Sequence, residues 1–262
     1  MLNFQLMDKI NEFRERGGYE IDGIWYPRVT KIVEIKSKPA LYKFYGGLKS
    51  FEEGEAIKTL SAQQGTLIHE TIENILMGKN EPVDPGAQPA VTAFNEFQNK
   101  HNIKVESQFI EKRIINKKEK YAGTVDGLAS INSKFGVLDI KTSGSIYRDY
   151  NLQTSAYLAA LEKEFPNLET RWILRIDQHK KCFKCGAILR SKGGKDSIKI
   201  PWTGNKADYA KSFSCHHQWS EVVGEIELKE CPNWQSDYQA FLGAKKLWEW
   251  ENEEILKKIG YL

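Results

Sequence analysis

The sequence contains no long hydrophobic run and little net charge of either sign. Its 262 residues include 38 Lys or Arg and 35 Asp or Glu, a formal charge of +3, and 40% are hydrophobic. No stretch approaches the roughly 18 consecutive apolar residues of a membrane helix. The charged first segment, MLNFQLMDKINEFRER, does not resemble a secretory leader. We therefore expect a cytoplasmic globular protein with a hydrophobic core and no membrane partner.

Cysteine is scarce, and the four cysteines all lie at or after residue 182. In a cytoplasmic chain this usage indicates metal or redox chemistry before disulfides. Most of them fall in a basic segment between His179 and His217, which has nine Lys or Arg against two Asp, a net +7. A basic segment on a mildly acidic body suggests a polyanionic partner, although a solvated lysine-rich insertion has the same composition.

Hydrophobic periodicity predicts a mostly helical first hundred residues. The predicted helices cover 3–16, 29–48 with a break at Pro39, 52–77 and 90–100. Between the first two, Asp22-Gly23 predicts a hairpin, because this dipeptide is a strong signal for a tight turn.

Residues rich in β-branched and aromatic side chains follow, and they predict a sheet. The predicted strands cover 105–115, 121–131, 135–141, 171–176 and 219–228. Further helices are predicted over 146–164 and 235–258, the latter with an apolar side formed by Phe241, Leu247, Trp248 and Ile255. This order predicts an α/β or α+β core behind a helical N-terminal region.

The basic segment interrupts two strands that we expect to pair, so we interpret it as an insertion. This interpretation divides the chain into four regions. They are a helical N-terminal region (1–102), a core (103–178), the basic Cys/His insertion (179–217), and a region that completes the core with a C-terminal helix (218–262).

The most informative stretch is YAGTVDGLASINSKFGVLDIKTS, residues 121–143. Asp139 and Lys141 project from the same face of a strand, because side chains alternate between faces. A two-residue turn at Asn132-Ser133 would pair residues whose numbers add to 265, so that Asp126 lies opposite Asp139. Two facing carboxylates repel each other unless a cation lies between them, and carboxylate oxygens suit Mg²⁺.

An ordinary surface hairpin, with Lys141 paired to one of the aspartates, would have the same short pattern. A longer turn would also shift the register. Gly123 and Gly127 flank Asp126 and favour a functional site, because glycine within a strand often marks close approach of a ligand or backbone.

Four short motifs occur in the order and spacing of a known nuclease family. They are G-T-L-I-H-E (65–70), G-T-V-D-G (123–127), L-D-I-K-T-S (138–143) and Q-T-S-A-Y (153–157). Together they resemble the RecB-type branch of the PD-(D/E)XK nucleases, and most of all the mitochondrial genome-maintenance exonucleases and their phage or bacterial relatives. The opening YPRVTKIVE (26–34) is similar to theirs as well. The basic insertion has no counterpart in this resemblance.

The resemblance implies a restriction-endonuclease-like core sheet flanked by helices, and a metal-dependent deoxyribonuclease that acts as an exonuclease. It implies that Asp126, Asp139 and the main-chain carbonyl of Ile140 bind Mg²⁺ or Mn²⁺, while Lys141 serves the attacking water. The implied partners are DNA with a free end and a recombination or replication protein. The implied location is the cytoplasm of a bacterial cell or a phage-infected host.

The resemblance also implies that His69 is a further metal ligand, and that Gln153 and Tyr157 face the site and position Lys141 or a DNA phosphate. Each has a structural alternative, because a histidine beside apolar positions is often a core residue and a helical Gln/Tyr pair can simply pack. Glu73 shares the helix face of His69, where it would either touch the site or remain solvated.

Cys182 and Cys185 form a C-x₂-C-G turn, and Cys215-His216-His217 follows it. Zinc commonly takes two ligands from each of two such turns. We expect structural Zn²⁺ on Cys182, Cys185, Cys215 and His217, which would supply folding energy to a zinc-ribbon-like insertion. Unliganded thiols are the alternative, and the reserve ligands are His179, His216 and Cys231.

Other assignments remain open at the level of sequence. An iron–sulfur cluster of the kind found in some RecB-type relatives is not expected, because those have a cysteine before the core. A non-catalytic zinc-ribbon DNA-binding or assembly protein is a second function, and an RNA-directed nuclease is a third. Five N-terminal aromatic residues could stack bases, although helical spacing favours core packing for most of them: Trp25, Tyr26, Tyr42, Phe44 and Tyr45.

Overall fold

The computed structural model describes residues 2–202 and 204–262, which form a mixed α/β fold. Met1 and Thr203, which belong to the predicted regions 1–102 and 179–217, lie outside the described residues. The helices are α1 (Leu2–Gly17), α2 (Val29–Val33), α3 (Pro39–Gly46), α4 (Phe51–Leu76), α5 (Gln88–Lys100), α6 (Asp149–Leu161), α7 (Lys206–Phe213), α8 (Gln235–Glu251) and α9 (Glu253–Lys258). The strands are β1 (Gly18–Ile21), β2 (Ile24–Pro27), β3 (Ile103–Val105), β4 (Lys112–Asn116), β5 (Tyr121–Val125), β6 (Gly127–Ile131), β7 (Lys134–Lys141), β8 (Thr170–Lys181), β9 (Ile188–Lys192), β10 (Lys195–Lys199) and β11 (Val223–Glu230).

The central sheet is mixed. Its strand order is β10-β9-β8-β7-β6-β3, and β11 also pairs with β8. Strands β7 and β8 are parallel and are joined by a crossover through α6, as a parallel pair requires. The expected pairing of the strands that flank the basic insertion is confirmed by the antiparallel β8–β11 pair. Of the described helices, none has the length and apolar character to cross a bilayer.

The predicted hairpin between β6 and β7 is confirmed in its register. Gly127 pairs with Leu138, so facing residue numbers add to 265. Asn132 and Ser133 form the turn with φ values of 52° and 69°, the left-handed conformation that a tight two-residue hairpin needs. Asp126 and Asp139 therefore occupy the next facing positions beyond the last pair of the ladder.

The prediction of one continuous strand over 121–131 is wrong, because Asp126 divides it. Strand β5 pairs with β4 in a separate two-stranded sheet, whereas β6 belongs to the central sheet. The predicted strand 105–115 is divided as well, by a 3₁₀ helix at Ser107–Phe109. A continuous β-rich pattern does not show where a chain passes from one sheet to another, since β5 and β6 are both mostly buried.

Apolar cores lie on both faces of the sheet. Leu128 and Val137 belong to a core covered by α2, α6 and α8. Leu138 and Ile140, which point to the opposite face, belong to a core beneath α4 and α5. Because side chains alternate along β7, Asp139 shares the face covered by α6.

Two helices differ from their predicted extents. The helix predicted over 146–164 begins at Asp149 and ends at Leu161. The helix predicted over 235–258 is broken at Asn252 into α8 and α9. Its predicted apolar side is wrong at Leu247, which is exposed, while Leu256 is buried in its place.

The N-terminal aromatic residues divide into two groups. Trp25 and Tyr26 are buried, which confirms the core packing predicted for them. Helix α3 contains no buried residue, so the same prediction is wrong for Tyr42, Phe44 and Tyr45.

Candidate active site

The predicted histidine and the first predicted aspartate lie together where β6 begins and β7 ends. His69, on α4, places Nε2 3.2 Å from Oδ2 of Asp126 and Nδ1 3.3 Å from Oε1 of Glu73. Gly65, one turn earlier on α4, allows this approach, because a Cβ there would lie only 2.6 Å from Oγ1 of Thr142. The glycine of the histidine motif thus serves the packing of α4 on the end of β7.

Asp126 lies in the break between β5 and β6. Its Oδ2 accepts a hydrogen bond of 2.6 Å from the main-chain N–H of Ile140. Because the N–H and C=O of one strand residue face the same neighbour, the Ile140 carbonyl points toward the side on which Asp126 lies. A main-chain carbonyl that binds a metal together with Asp126 would have to point in this direction. The Ile140 side chain is buried in the core.

Asp139 is fully buried and receives two hydrogen bonds on Oδ1. One comes from Nζ of Lys141 at 2.6 Å, and the other from Nε2 of Gln153 at 3.0 Å. Gln153 also donates to the hydroxyl of Tyr157 at 3.0 Å. Gln153 therefore supports Asp139 directly, and Tyr157 does so through Gln153. The family resemblance implied instead that these two residues contact Lys141 or a phosphate.

The two flanking glycines differ in their surroundings. A Cβ at Gly123 would lie 2.6 Å from Cε1 of Tyr157, so Gly123 makes room for that buried ring. At Gly127 a Cβ would have only ordinary contacts, such as 3.6 Å to Val105. The close approach predicted at Gly123 is real, but its cause is a side chain of the same protein.

Burial and charge act in opposition on the ionisable groups. Burial raises the pKa of Asp139 to about 6, with the neighbouring Asp126 charge acting in the same direction. Burial is the largest single influence on Asp126 and would raise its pKa, but the hydrogen bond from His69, the charges of Lys141 and His69 and the N–H of Ile140 together outweigh it and the pKa is lowered. Burial alone would lower the pKa of His69, yet its bonds to Asp126 and Glu73 raise it to about 10. The two carboxylates therefore depend on neighbouring positive charge to ionise together.

The donor set fits a divalent cation. Ligand atoms of His69, Glu73 and Asp126 all lie within 4.8 Å of one another. Asp139 is not a member of this group, but the charges of Asp126 and His69 act on it, and its Oδ2 is buried with no hydrogen-bond partner among the described residues. A buried carboxylate oxygen without a partner is costly, and a cation bound to it would remove that cost. Carboxylate oxygens with one imidazole suit Mg²⁺ or Mn²⁺.

Two carboxylates at this site belong to none of the sequence motifs. Glu73 is buried, not solvated, and its only sequence signal is the spacing of four residues from His69. Glu111 follows the 3₁₀ helix, and its main-chain N–H donates to the carbonyl of Asp126. Desolvation and the nearby Glu73 carboxylate raise the pKa of Glu111 to about 7. Glu111 lies in the predicted strand 105–115 but in none of the motifs, so no sequence pattern indicates it.

These groups line a cleft of about 660 Å³ between α4, the segment after β7 and strand β9. His69, Glu73 and Glu111 lie along it, and the basic insertion contributes Arg190 and Lys192.

Nζ of Lys141 lies 5.3 Å from the ring centroid of Tyr150, a favourable cation–π distance.

The structure brings together the four residues predicted to bind zinc. Ligand atoms of Cys182, Cys185, Cys215 and His217 lie within 4.8 Å of one another, and this group could hold a metal ion. Sγ of Cys182 is 4.0 Å from Sγ of Cys215, and Sγ of Cys185 is 3.4 Å from Nδ1 of His217. The first turn is closed by the N–H of Gly186, which donates to the Cys182 carbonyl with φ of 72° at the glycine.

The reserve ligands lie outside this group, which we call the Cys/His group. His216 is exposed, so the choice between it and His217 falls on His217. His179 is buried within β8, opposite Val223. Cys231 is buried elsewhere, with Sγ 3.6 Å from Oδ1 of Asn151.

The thiols of the Cys/His group titrate unequally. Burial opposes ionisation of Cys182, but main-chain N–H donors outweigh it and lower its pKa to about 5. For Cys215, burial and the neighbouring thiols raise the pKa to about 11. Three adjacent thiols cannot all ionise without a cation, whereas a bound metal would hold all three as thiolates.

Comparisons with known proteins add little. No protein-family model and no curated protein matches the chain. Among solved structures, the crystal structure of SSO0001 is similar at 19% sequence identity with a TM-score of 0.31, over 82% of this chain and 84% of the other. A likeness of this degree carries no argument about function, so any functional conclusion depends on the site residues themselves.

Proposed function

We propose that the protein is a metal-dependent DNA nuclease with a core of the PD-(D/E)XK type. The observation that carries this proposal is the convergence of His69, Asp126, Asp139 and Lys141 from three separate parts of the chain. These are the motif residues that the sequence singles out, and they lie together, with His69 on the wall of the cleft. A purely structural ion-pair cluster would not require a partnerless carboxylate oxygen on Asp139.

His69, Asp126, Asp139 and the Ile140 carbonyl would hold Mg²⁺ or Mn²⁺. When bound, such a metal lowers the pKa of a water molecule and polarises the scissile phosphate. The Glu73 carboxylate, 3.3 Å from Nδ1, would hold the ring by charge so that Nε2 of His69 stays directed at Asp126. Gln153 holds Asp139 in position from the opposite side.

Lys141 acts as a hydrogen-bond donor in this arrangement. Burial alone would lower the pKa of its ammonium group, but the charges of Asp139 and Asp126 outweigh burial and raise it. A protonated Lys141 can orient the attacking water and stabilise negative charge that develops on the phosphate. Its removal would leave Asp139 with a single donor, Gln153.

The substrate in this proposal is DNA with a free end, and the Cys/His group is a structural Zn²⁺ site. Three thiolates and one imidazole are a common tetrahedral zinc donor set. Hard oxygen ligands exchange Mg²⁺ readily, whereas thiolates hold Zn²⁺ tightly. The two sites therefore separate by chemistry, one structural and one catalytic.

The test is incubation of purified protein with end-labelled linear DNA and with a closed circle of the same sequence, in Mg²⁺ or Mn²⁺. We expect degradation of the linear DNA and little cleavage of the circle. Asp139→Asn and Lys141→Ala should abolish cleavage, whereas Glu52→Gln, at an exposed position of α4 that does not line the cleft, should not. Efficient cutting of the circle would show an endonuclease, and near wild-type turnover in either active-site variant would contradict its assigned role.

A further inference from the structure

The hairpin formed by β9 and β10 joins the Cys/His group to the cleft. At its base, β9 continues the central sheet by pairing Lys181 with Ile188, next to Cys182. At its tip, Gly193 and Gly194 turn with φ values of 65° and 76°. The hairpin is therefore anchored beside the Cys/His group and extends from it toward α4.

The tip docks on α4 closely enough to require glycine. The N–H of Gly193 donates to Oε1 of Gln64 at 2.8 Å. A Cβ at Gly193 would clash with the main-chain oxygen of Ile57 and with the hydroxyl of Ser61. Both ends of the hairpin are thus held, which fixes the positions of the side chains between them.

Two cations of β9 line the cleft, and only one of them is neutralised. Arg190 places Nε 2.7 Å and 2.8 Å from the two carboxylate oxygens of Asp177. Lys192 is half-buried and donates to the main-chain oxygen of Thr142, the residue after Lys141. Among the described residues, no carboxylate lies within ion-pair distance of Lys192.

Lys192 is therefore short of a counter-charge. Burial and the charge of Arg190 lower the pKa of Lys192 to about 8, and they outweigh the opposing charge of Asp177, which already pairs with Arg190. A cation kept half-buried on a neutral carbonyl gains most from an anion that enters the cleft. The anion that a nuclease admits to its active site is a phosphate of the strand being cut.

We propose that Lys192 binds a substrate phosphate beside the active site and that the Cys/His group, through the β9–β10 hairpin, holds it there. This inference rests on the proposed nuclease function for the identity of the anion. It assigns the basic insertion a direct role in substrate binding, in addition to its contribution to overall charge.

The test measures the Kd of the protein for labelled DNA without added Mg²⁺ or Mn²⁺, over a series of salt concentrations. We expect Lys192→Gln to raise Kd by about tenfold or more, as loss of a charge-assisted hydrogen bond would. The slope of log K against log salt should fall by about 0.7 to 0.9. Lys192→Arg should retain binding. Lys199→Gln removes the same charge from an exposed position of the hairpin, so it should change Kd by less than about twofold. Equal Kd and salt slope for the two Gln variants would overturn the role of Lys192.

The link to the Cys/His group needs two further variants. Gly193→Ala detaches the tip without removing a charge or a metal ligand, so it should weaken binding as Lys192→Gln does. Cys182→Ser, with its metal content measured, should do the same, and adding Lys192→Gln should then cost less than about twofold more. Fully additive losses would overturn the link. Binding is measured without cleavage. If the wild-type protein has no nuclease activity, the proposed function is wrong, but the Kd values of the variants still test the role of Lys192.

Discussion

Replacement of Glu73 tests how the site orients its histidine. Glu73 is 7% exposed, and its Oε1 lies 3.3 Å from Nδ1 of His69, while Nε2 of the same ring faces Asp126. We infer that Glu73 fixes both the tautomer and the direction of the ring, as carboxylates behind metal-bound histidines do. Glu73→Ala removes that acceptor and leaves Nδ1 without a partner.

The size of the effect follows from this contact. A donor left unsatisfied in a buried site costs about 1–3 kcal/mol. Loss of a partner behind a metal-bound histidine typically weakens metal affinity by about 10- to 100-fold, which corresponds to about 1.4–2.7 kcal/mol. The two figures agree, so we expect a 10- to 100-fold weaker Mn²⁺ site in Glu73→Ala. Glu73→Gln should lose less, because its amide oxygen still accepts a hydrogen bond.

The assay is calorimetric titration of Mn²⁺ into protein whose Cys/His group is loaded with zinc. Glu52→Ala is the matched control, since Glu52 lies on the same helix but is exposed and does not line the cleft. His69→Ala gives the limit for complete loss of the imidazole, and Glu73→Ala added to it should have little further effect. Circular dichroism confirms that each variant is folded.

Equal Mn²⁺ affinity in Glu73→Ala and Glu52→Ala would refute the orienting role. A loss far above 100-fold would also contradict it, because Glu73 would then be a direct ligand. Additive losses in the double variant would show that Glu73 acts without His69.

Three further substitutions test other contacts. Gly123→Ala should lower the free energy of unfolding by about 1–3 kcal/mol in urea, because its Cβ would overlap the Tyr157 ring; a wild-type unfolding midpoint would contradict this. Arg171→Met should cost about 3–5 kcal/mol in the same assay, since Arg171 is fully buried and bonded to Asp237, whose charge would lose its partner. Unchanged stability would show that the pair contributes little. Cys182→Ser should lose the metal of the Cys/His group while Mn²⁺ titration of the carboxylate site is unchanged, and metal analysis decides the first point.

Local patterns predicted much of the fold correctly. Asp22-Gly23 and Asn132-Ser133 both form tight turns with positive φ, and the second turn sets the register of β6 and β7. The spacing of Cys182, Cys185, Cys215 and His217 identified the residues that the structure gathers into one group. These features are short-range, because a turn or a C-x₂-C knuckle is formed by consecutive residues.

The break at Asp126 was not visible in the sequence. The residues on both sides of it favour strands, and only the different partners of β5 and β6 separate them. The same holds for Gln153, whose amide could reach several groups from α6 and is directed to Asp139 by the packing of that helix. The choice depends on where distant segments lie, which a local pattern does not contain.

The sequence by itself predicted most helices and strands outside the basic insertion, the hairpin register and the four members of the Cys/His group, because each depends on side-chain chemistry and alternation within a few residues. Only the tertiary structure placed Glu73 next to Nδ1 of His69, Glu111 near Glu73, and the tip of the β9–β10 hairpin in contact with α4. Those contacts join segments far apart in the chain. Their geometry comes from the packing of helices on both faces of one sheet, so the charge environment of the site exists only in the folded protein.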